Sequence, residues 1–212
     1  MEGKSPDAIW LYRIVHIDNV HYLLEHGMCC REHAEADPNY INIGDSNLIQ
    51  NRSDYPVGIA PPGGTLGEYV PFYFGPHSPM LLRIRDGKGV IKRPQSDIVY
   101  ICCNLSTIIT KCKKWCFTDG HAKKKITNFF NKEEDLNKVD WNMVKEKRWS
   151  NTDEDEDRMR RKQAEFLVNN YVPTDCIGGI VVYDEKAKVV IETILAKLKL
   201  NLQVRISPQH YY

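Results

Sequence analysis

Arg160-Arg161-Lys162-Gln163-Ala164-Glu165-Phe166-Leu167-Val168 is the stretch on which the reading of the fold turns. It opens with three basic residues and ends with three apolar ones, and one carboxylate stands between the two blocks. Phe166 to Val168 read as a strand entering a sheet, so Glu165 opens that strand at a rim where a loop delivers side chains to a cleft. Two readings of Glu165 follow. It is a solvated residue capping a strand, or it is a rigid, partly desolvated carboxylate suited to stabilising a developing positive charge.

Downstream, residues 177–183 read as a strand, 185–199 as a helix and 203–206 as a strand. Ala187, Val190, Ile191, Ile194, Leu195 and Leu198 form a wide apolar stripe, so that helix packs on the sheet. Upstream, an acidic block at 150–157 abuts the basic residues 158–162. Opposite charge blocks side by side suggest a mobile, solvent-facing segment that reorders over a substrate. Trp141, Val144 and Trp149 have helical spacing across 140–149, and Lys123-Lys124-Lys125 is expected to begin a helix reaching Phe129-Phe130 after a turn at 117–121.

In the first half, residues 9–15 and 97–103 read as strands, the latter buried, and 105–111 as a short helix. Asp18 caps a helix with the stripe Val20, Leu23 and Leu24, which Gly27 ends. The aromatic run 68–74 is a further strand, and Pro71 argues for an edge or a bulge. Between them lies a long polar loop, residues 37–64, with Arg52 as its only basic side chain. A loop of that length is usually a binding loop or a lid. Strands and helices do not alternate regularly, there is no internal repeat, and no linker divides the chain. These features give one α+β domain over 1–212.

The balance of 29 basic against 28 acidic residues leaves no overall field to recruit a polyanion, so anion binding must come from local clusters. No apolar run approaches the roughly 20 residues of a membrane helix. The polar opening Met1-Glu2-Gly3-Lys4-Ser5-Pro6-Asp7 lacks the core of a signal peptide, so a cytoplasmic address is expected. The seven cysteines read as reduced thiols in a core. Neither Cys29, Cys30 and His33 nor Cys112, Cys116 and His121 has the paired spacing of a zinc site, and no metal is expected. Dinucleotide, P-loop, nucleophile-elbow and zinc-protease motifs are absent.

Taken in order, several segments resemble the DarT family of DNA ADP-ribosyltransferase toxins. They are Tyr12-Arg13-Ile14-Val15-His16-Ile17-Asp18-Asn19, Ile49-Gln50-Asn51-Arg52, Gly63-Gly64-Thr65-Leu66 and Glu68-Tyr69-Val70-Pro71-Phe72-Tyr73-Phe74. Phe117-Thr118-Asp119-Gly120-His121-Ala122, Gln163-Ala164-Glu165 and Tyr211-Tyr212 complete the set. The resemblance spans about residues 9–212. It implies an ADP-ribosyltransferase-like fold, in which a split pair of small β-sheets with flanking helices clasps NAD+. It also implies transfer of ADP-ribose from NAD+ to a base of single-stranded DNA, most often thymine, and an antitoxin whose macrodomain removes the mark.

By the same resemblance Glu165 is the catalytic glutamate and Arg52 the arginine of the NAD-binding loop, at about 37–64. Arg13, Ile14 and Val15 fall on the first-strand NAD contact, although many transferases of the superfamily carry His where Arg13 stands. Residues of about 118–165 form the acceptor-recognition loop, with Gln163 helping to choose the acceptor. His121, Lys123, Lys124, Lys125, Arg158, Arg160, Arg161 and Lys162 are expected to meet the DNA, with NAD+ as co-substrate. Two other readings stay open: a transferase acting on RNA or protein or an NAD hydrolase, and a non-catalytic single-strand-binding module.

Overall fold

The computed structural model describes residues 5–212; residues 1–4, which begin the polar N-terminal segment, lie outside the described residues. The first half carries β1 (Trp10–His16), α1 (Val20–His26), β2 (Met28–Cys29), α2 (Ser46–Ser53), β3 (Tyr69–Tyr73) and α3 (Pro79–Asp86). Next come β4 (Ile98–Asn104), α4 (Leu105–Lys111), β5 (Trp115–Thr118) and β6 (Phe129–Phe130). The remainder is α5 (Arg158–Lys162), β7 (Glu165–Asn169), β8 (Tyr171–Val172), β9 (Ile177–Val182), α6 (Glu185–Leu198) and β10 (Gln203–Ile206).

Eight of the strands line up in the order β10-β9-β4-β1-β3-β7-β5-β6. β4 lies deep inside because six of its seven residues are buried, and β1 pairs with it along its whole length, from Trp10↔Asn104 to His16↔Ile98. The other side of β1 is different. It meets β3 at one register position, Tyr12↔Tyr73, whereas β3 pairs with β7 over five. The expected split is therefore realised as two four-stranded halves joined at that single pair. Pro71 was expected to mark an edge or a bulge. β3 is instead internal to the sheet order, and the break falls on its β1 side. Proline has no N–H to offer a ladder, and the Arg13 guanidinium reaches across the gap to donate to Pro71 O at 3.0 Å.

Helices cover the halves as their apolar stripes require. Ala187, Ile191 and Leu195 of α6 and Val20, Leu23 and Leu24 of α1 are buried in one core with Phe72, Phe117 and Phe166 from the strands. Asp184 caps α6 by accepting the Ala187 N–H at 2.9 Å. Six of the seven cysteines are buried and all seven are free thiols. Among the described residues, no helix is long and apolar enough to cross a membrane.

Three local expectations need correction. The stretch 37–64 is not all loop: Asp45 accepts the Leu48 N–H and starts α2, a helix with no buried residue and hence no apolar stripe to betray it. Residues 123–130 do not form a helix. The Asp119 carboxylate takes both the backbone and the side-chain N–H of Asn128 at 3.0 Å, which turns the chain into β6 against β5. Residues 140–149 contain only a 3₁₀ turn at Met143–Lys145, because Asp140 binds the Met143 N–H and offers the backbone an alternative to a helix.

Candidate active site

Glu165 is the first residue of β7, paired across to Tyr73, which in turn is paired to Tyr12. The row Tyr12–Tyr73–Glu165 lies where the two halves of the sheet part. The Glu165 side chain is only 5% exposed, which excludes the solvated strand cap. Its carboxylate is met by Arg52 in a fork, Nη1 to Oε1 at 3.0 Å and Nη2 to Oε2 at 2.5 Å. Arg52 stands in the last turn of α2, the end of a helix that favours a cation. The Ala122 N–H donates to Oε1 at 3.2 Å.

These contacts set the charge state. Burial alone would raise the Glu165 pKa, but the Arg52 charge and hydrogen bonds, His121 and the Ala122 N–H hold it below the ordinary carboxylate value. Glu165 raises Arg52 in return, against burial. The Tyr73 phenol is pushed up to about 12, first by burial and then by the Glu165 charge, so it stays neutral and able to donate. Burial lowers His121 below its ordinary value.

The backbone of Glu165 is fixed as firmly as its side chain. Its N–H donates to the Thr118 hydroxyl at 3.1 Å, and that hydroxyl donates to Gly120 O at 2.6 Å. Thr118→Val keeps the shape and strands the Glu165 N–H. We expect a loss of about 1–3 kcal/mol in urea denaturation, recovered in Thr118→Ser.

The basic residues expected to meet a nucleic acid are sorted by the structure into two groups. Arg158 donates to Ser150 O and Arg148 O. Arg160 forks onto Asp157 and reaches Asp119. Arg161 pairs with Asp140 and Asp155. Lys162 is buried and donates to Pro76 O and Val144 O, and burial pulls it down to about 7. Gln163 turns back to Met159 O. Most of residues 150–157 do face solvent, as expected, but the cations of 158–162 are spent on nearby carboxylates and carbonyls. Arg160 also explains Gly120, since a Cβ there would lie 2.4 Å from the guanidinium. His121, whose N–H donates to Arg160 O, and Lys123 lie on the turn beside Ala122.

Of the first-strand residues, Ile14 and Val15 bury their side chains, so only their backbone can meet a ligand. Arg13 keeps a buried Nε with no hydrogen-bond partner. Thr118 and the Ala122 N–H were missed as site residues. Their signal is long-range, because each acts on Glu165 through strand register or a turn. Among the described residues, no group of three or more His, Cys, Asp and Glu could hold a metal.

Comparison with known proteins gives the family of the chain. A family model described as ssDNA thymidine ADP-ribosyltransferase, DarT, matches residues 12–212. A DNA ADP-ribosyl transferase of Escherichia coli O127:H6 is 34% identical over 209 residues, covering 98% of this chain and 95% of that protein. The solved structure of Thermus sp. 2.9 DarT in complex with ADP-ribosylated ssDNA matches with a TM-score of 0.89 at 29% identity, over 100% of both chains. The same protein in complex with NAD+ gives 0.84 at 29% identity, again over 100% of both chains. A DNA ADP-ribosyl transferase–DNA ADP-ribosyl glycohydrolase fusion protein of Thermosipho africanus is 29% identical over 179 residues, 83% of this chain and 43% of the fusion. With a forked Arg52–Glu165 pair at the parting of the sheet and a family match over almost its whole length, this chain belongs to the DarT family of single-stranded-DNA thymidine ADP-ribosyltransferases.

Proposed function

We propose that Glu165 and Arg52 are the catalytic pair in the transfer of ADP-ribose from NAD+ to a thymine base of single-stranded DNA. The observation that carries this reading is the buried, forked Arg52–Glu165 pair, which keeps one carboxylate ionised where the halves of the sheet separate. When bound, NAD+ supplies an ADP-ribosyl group whose ribose gains positive charge as nicotinamide leaves.

The residues present suit that group. The orphaned Arg13 Nε is a buried donor in need of an acceptor. Past Tyr12, the backbone of Arg13, Ile14 and Val15 runs along the side of β1 that β3 leaves. Glu165 Oε2 receives one hydrogen bond, from Arg52, and retains a lone pair for a ribose hydroxyl. Its fixed negative charge favours the cationic sugar, an interaction worth about 3–4 kcal/mol in the transition state. As the ribose–nicotinamide bond breaks and the ribose–thymine bond forms, the thymine proton passes to solvent water; Arg52 stays protonated and favours that loss by electrostatics without abstracting the proton. Residues 37–64 then serve as the NAD-binding loop and 118–165 as the acceptor-recognition loop, with His121, Lys123 and Lys124 toward the DNA. Arg158, Arg161 and Gln163 act by holding that loop in shape.

A macrodomain-bearing antitoxin fits this activity, since the Thermosipho africanus relative is fused to a DNA ADP-ribosyl glycohydrolase. A cytoplasmic location fits the seven free thiols. The test is incubation with NAD+ and thymine-bearing single-stranded oligonucleotides. One ADP-ribose mass on the DNA is expected, and labelling of RNA or protein alone, or nicotinamide release without transfer, overturns the reading.

A further inference from the structure

With the arginines of the acceptor loop committed to internal partners, the uncommitted cations stand out. Lys124, Lys125 and Lys138 are exposed, and among the described residues none of their ammonium groups has a hydrogen-bond or ion-pair partner. All three line one depression of about 680 Å³, the size of a small-molecule site. Tyr55 and Phe130 line it too. Asp119, the one acid on its wall among the described residues, is already bonded to Arg160 and Asn128.

Its walls are built, not incidental. One comes from the segment that carries Arg52 and the other from the turn that delivers the Ala122 N–H to Glu165. The two are pressed together where the Phe129 ring lies on Gly58, so closely that a Cβ at Gly58 would sit 2.9 Å from it. Phe130 is stacked on Phe117 at 5.3 Å, and Thr127 is tied to His121 O at 2.9 Å. Unpaired lysines with half-buried aromatic side chains on a rigid floor are the chemistry that holds a single nucleic-acid strand, by phosphate contact and by stacking. Glu165 and Arg52 do not line the depression.

We propose that this depression is a second nucleic-acid subsite, which takes the phosphodiester and sugar of a nucleotide flanking the acceptor thymidine. The proposal rests on DNA being the acceptor and adds where the strand continues beyond the reacting base. It keeps phosphate contact at Lys125, adds it at Lys138, which lies outside the lysine run 123–125, and removes it from Arg158 and Arg161.

The test uses single-stranded oligonucleotides with one thymine, in which each flanking phosphate in turn is replaced by an uncharged methylphosphonate. In the unaltered protein, neutralising one or two adjacent phosphates should raise the KM for DNA about tenfold. In Lys125→Ala/Lys138→Ala the KM should start about tenfold higher and no longer respond to those replacements, the coupling expected of groups in contact. The slope of log affinity against log salt should fall by about 1.4 for two lost contacts to a single strand. Lys125→Arg/Lys138→Arg should keep both properties. A variant that responds to every replacement as the unaltered protein does, or an unchanged salt slope, overturns the subsite. So does a raised KM for NAD+ in place of DNA, which would give the depression to the dinucleotide's phosphates. If the unaltered protein modifies no oligonucleotide at all, the proposed reaction falls and the subsite with it, a result visible before any variant is made.

Discussion

Glu165→Ala should reduce transfer of ADP-ribose to a thymine-bearing oligonucleotide by about 100- to 1,000-fold, the effect of losing one preorganised interaction worth about 3–4 kcal/mol. The carboxylate is buried, ionised and held by three hydrogen bonds, two from Arg52 and one from the Ala122 N–H, so it needs no reorganisation as charge develops. Glu165→Gln is the sharper variant. It preserves volume and one hydrogen-bond acceptor but removes the charge, and it should lose nearly as much activity as alanine. The measurement is mass spectrometry of the DNA beside nicotinamide release, with DNA binding followed separately. Retention of transfer in Glu165→Gln at near-normal rate would show that the charge is not what the reaction uses.

Arg52→Ala should produce the largest stability loss, about 3–5 kcal/mol, because it leaves a buried carboxylate without its counter-ion. The effect should also depend on pH. In the intact protein Glu165 titrates below its ordinary value of 4.5, so its stabilising contribution is present above that value and is lost as pH falls through the lower, folded-state pKa. Removing Arg52 leaves burial less opposed, raises the Glu165 pKa and moves the acid limb of both stability and activity upward. Urea denaturation between pH 4 and 8 measures the first and oligonucleotide modification the second. The double variant Arg52→Met/Glu165→Leu should regain most of the stability and none of the activity, since a well-packed apolar pair replaces a buried ionic one at little cost. If Arg52→Ala were as stable as the parent, the pair would be a surface contact and the account of the site would fail.

Much of the architecture was readable from residue patterns. The apolar runs at 9–15, 97–103 and 177–183 and the stripe of α6 fixed strands and a helix close to where they are found. Those elements bury a continuous core, so tertiary packing reinforces the local pattern. The failures share a cause. α2, the turn at 123–128 and the 3₁₀ turn at 143–145 are decided by single polar side chains, Asp45, Asp119 and Asp140, whose partners along the backbone are chosen by geometry that periodicity does not encode.

The same division runs through the site. The resemblance to the DarT family, carried by short motifs in order, put Glu165 and Arg52 forward as candidates; residue type alone left Glu165 between a solvated cap and a rigid carboxylate. That Arg52 and Glu165 form one forked pair across 113 positions of chain was decided only by folding, which brings the last turn of α2 to the start of β7. Charge runs were the least legible feature. Arg158, Arg160 and Arg161 look in sequence like a phosphate-binding strip, yet nearby carboxylates and carbonyls take up their donors. Among the described residues, Lys124, Lys125 and Lys138 have no such partner and line one depression. Residue type fixes which charges a chain owns; only the tertiary arrangement, by bringing acids within bonding distance of some bases and not others, decides which of them remain available.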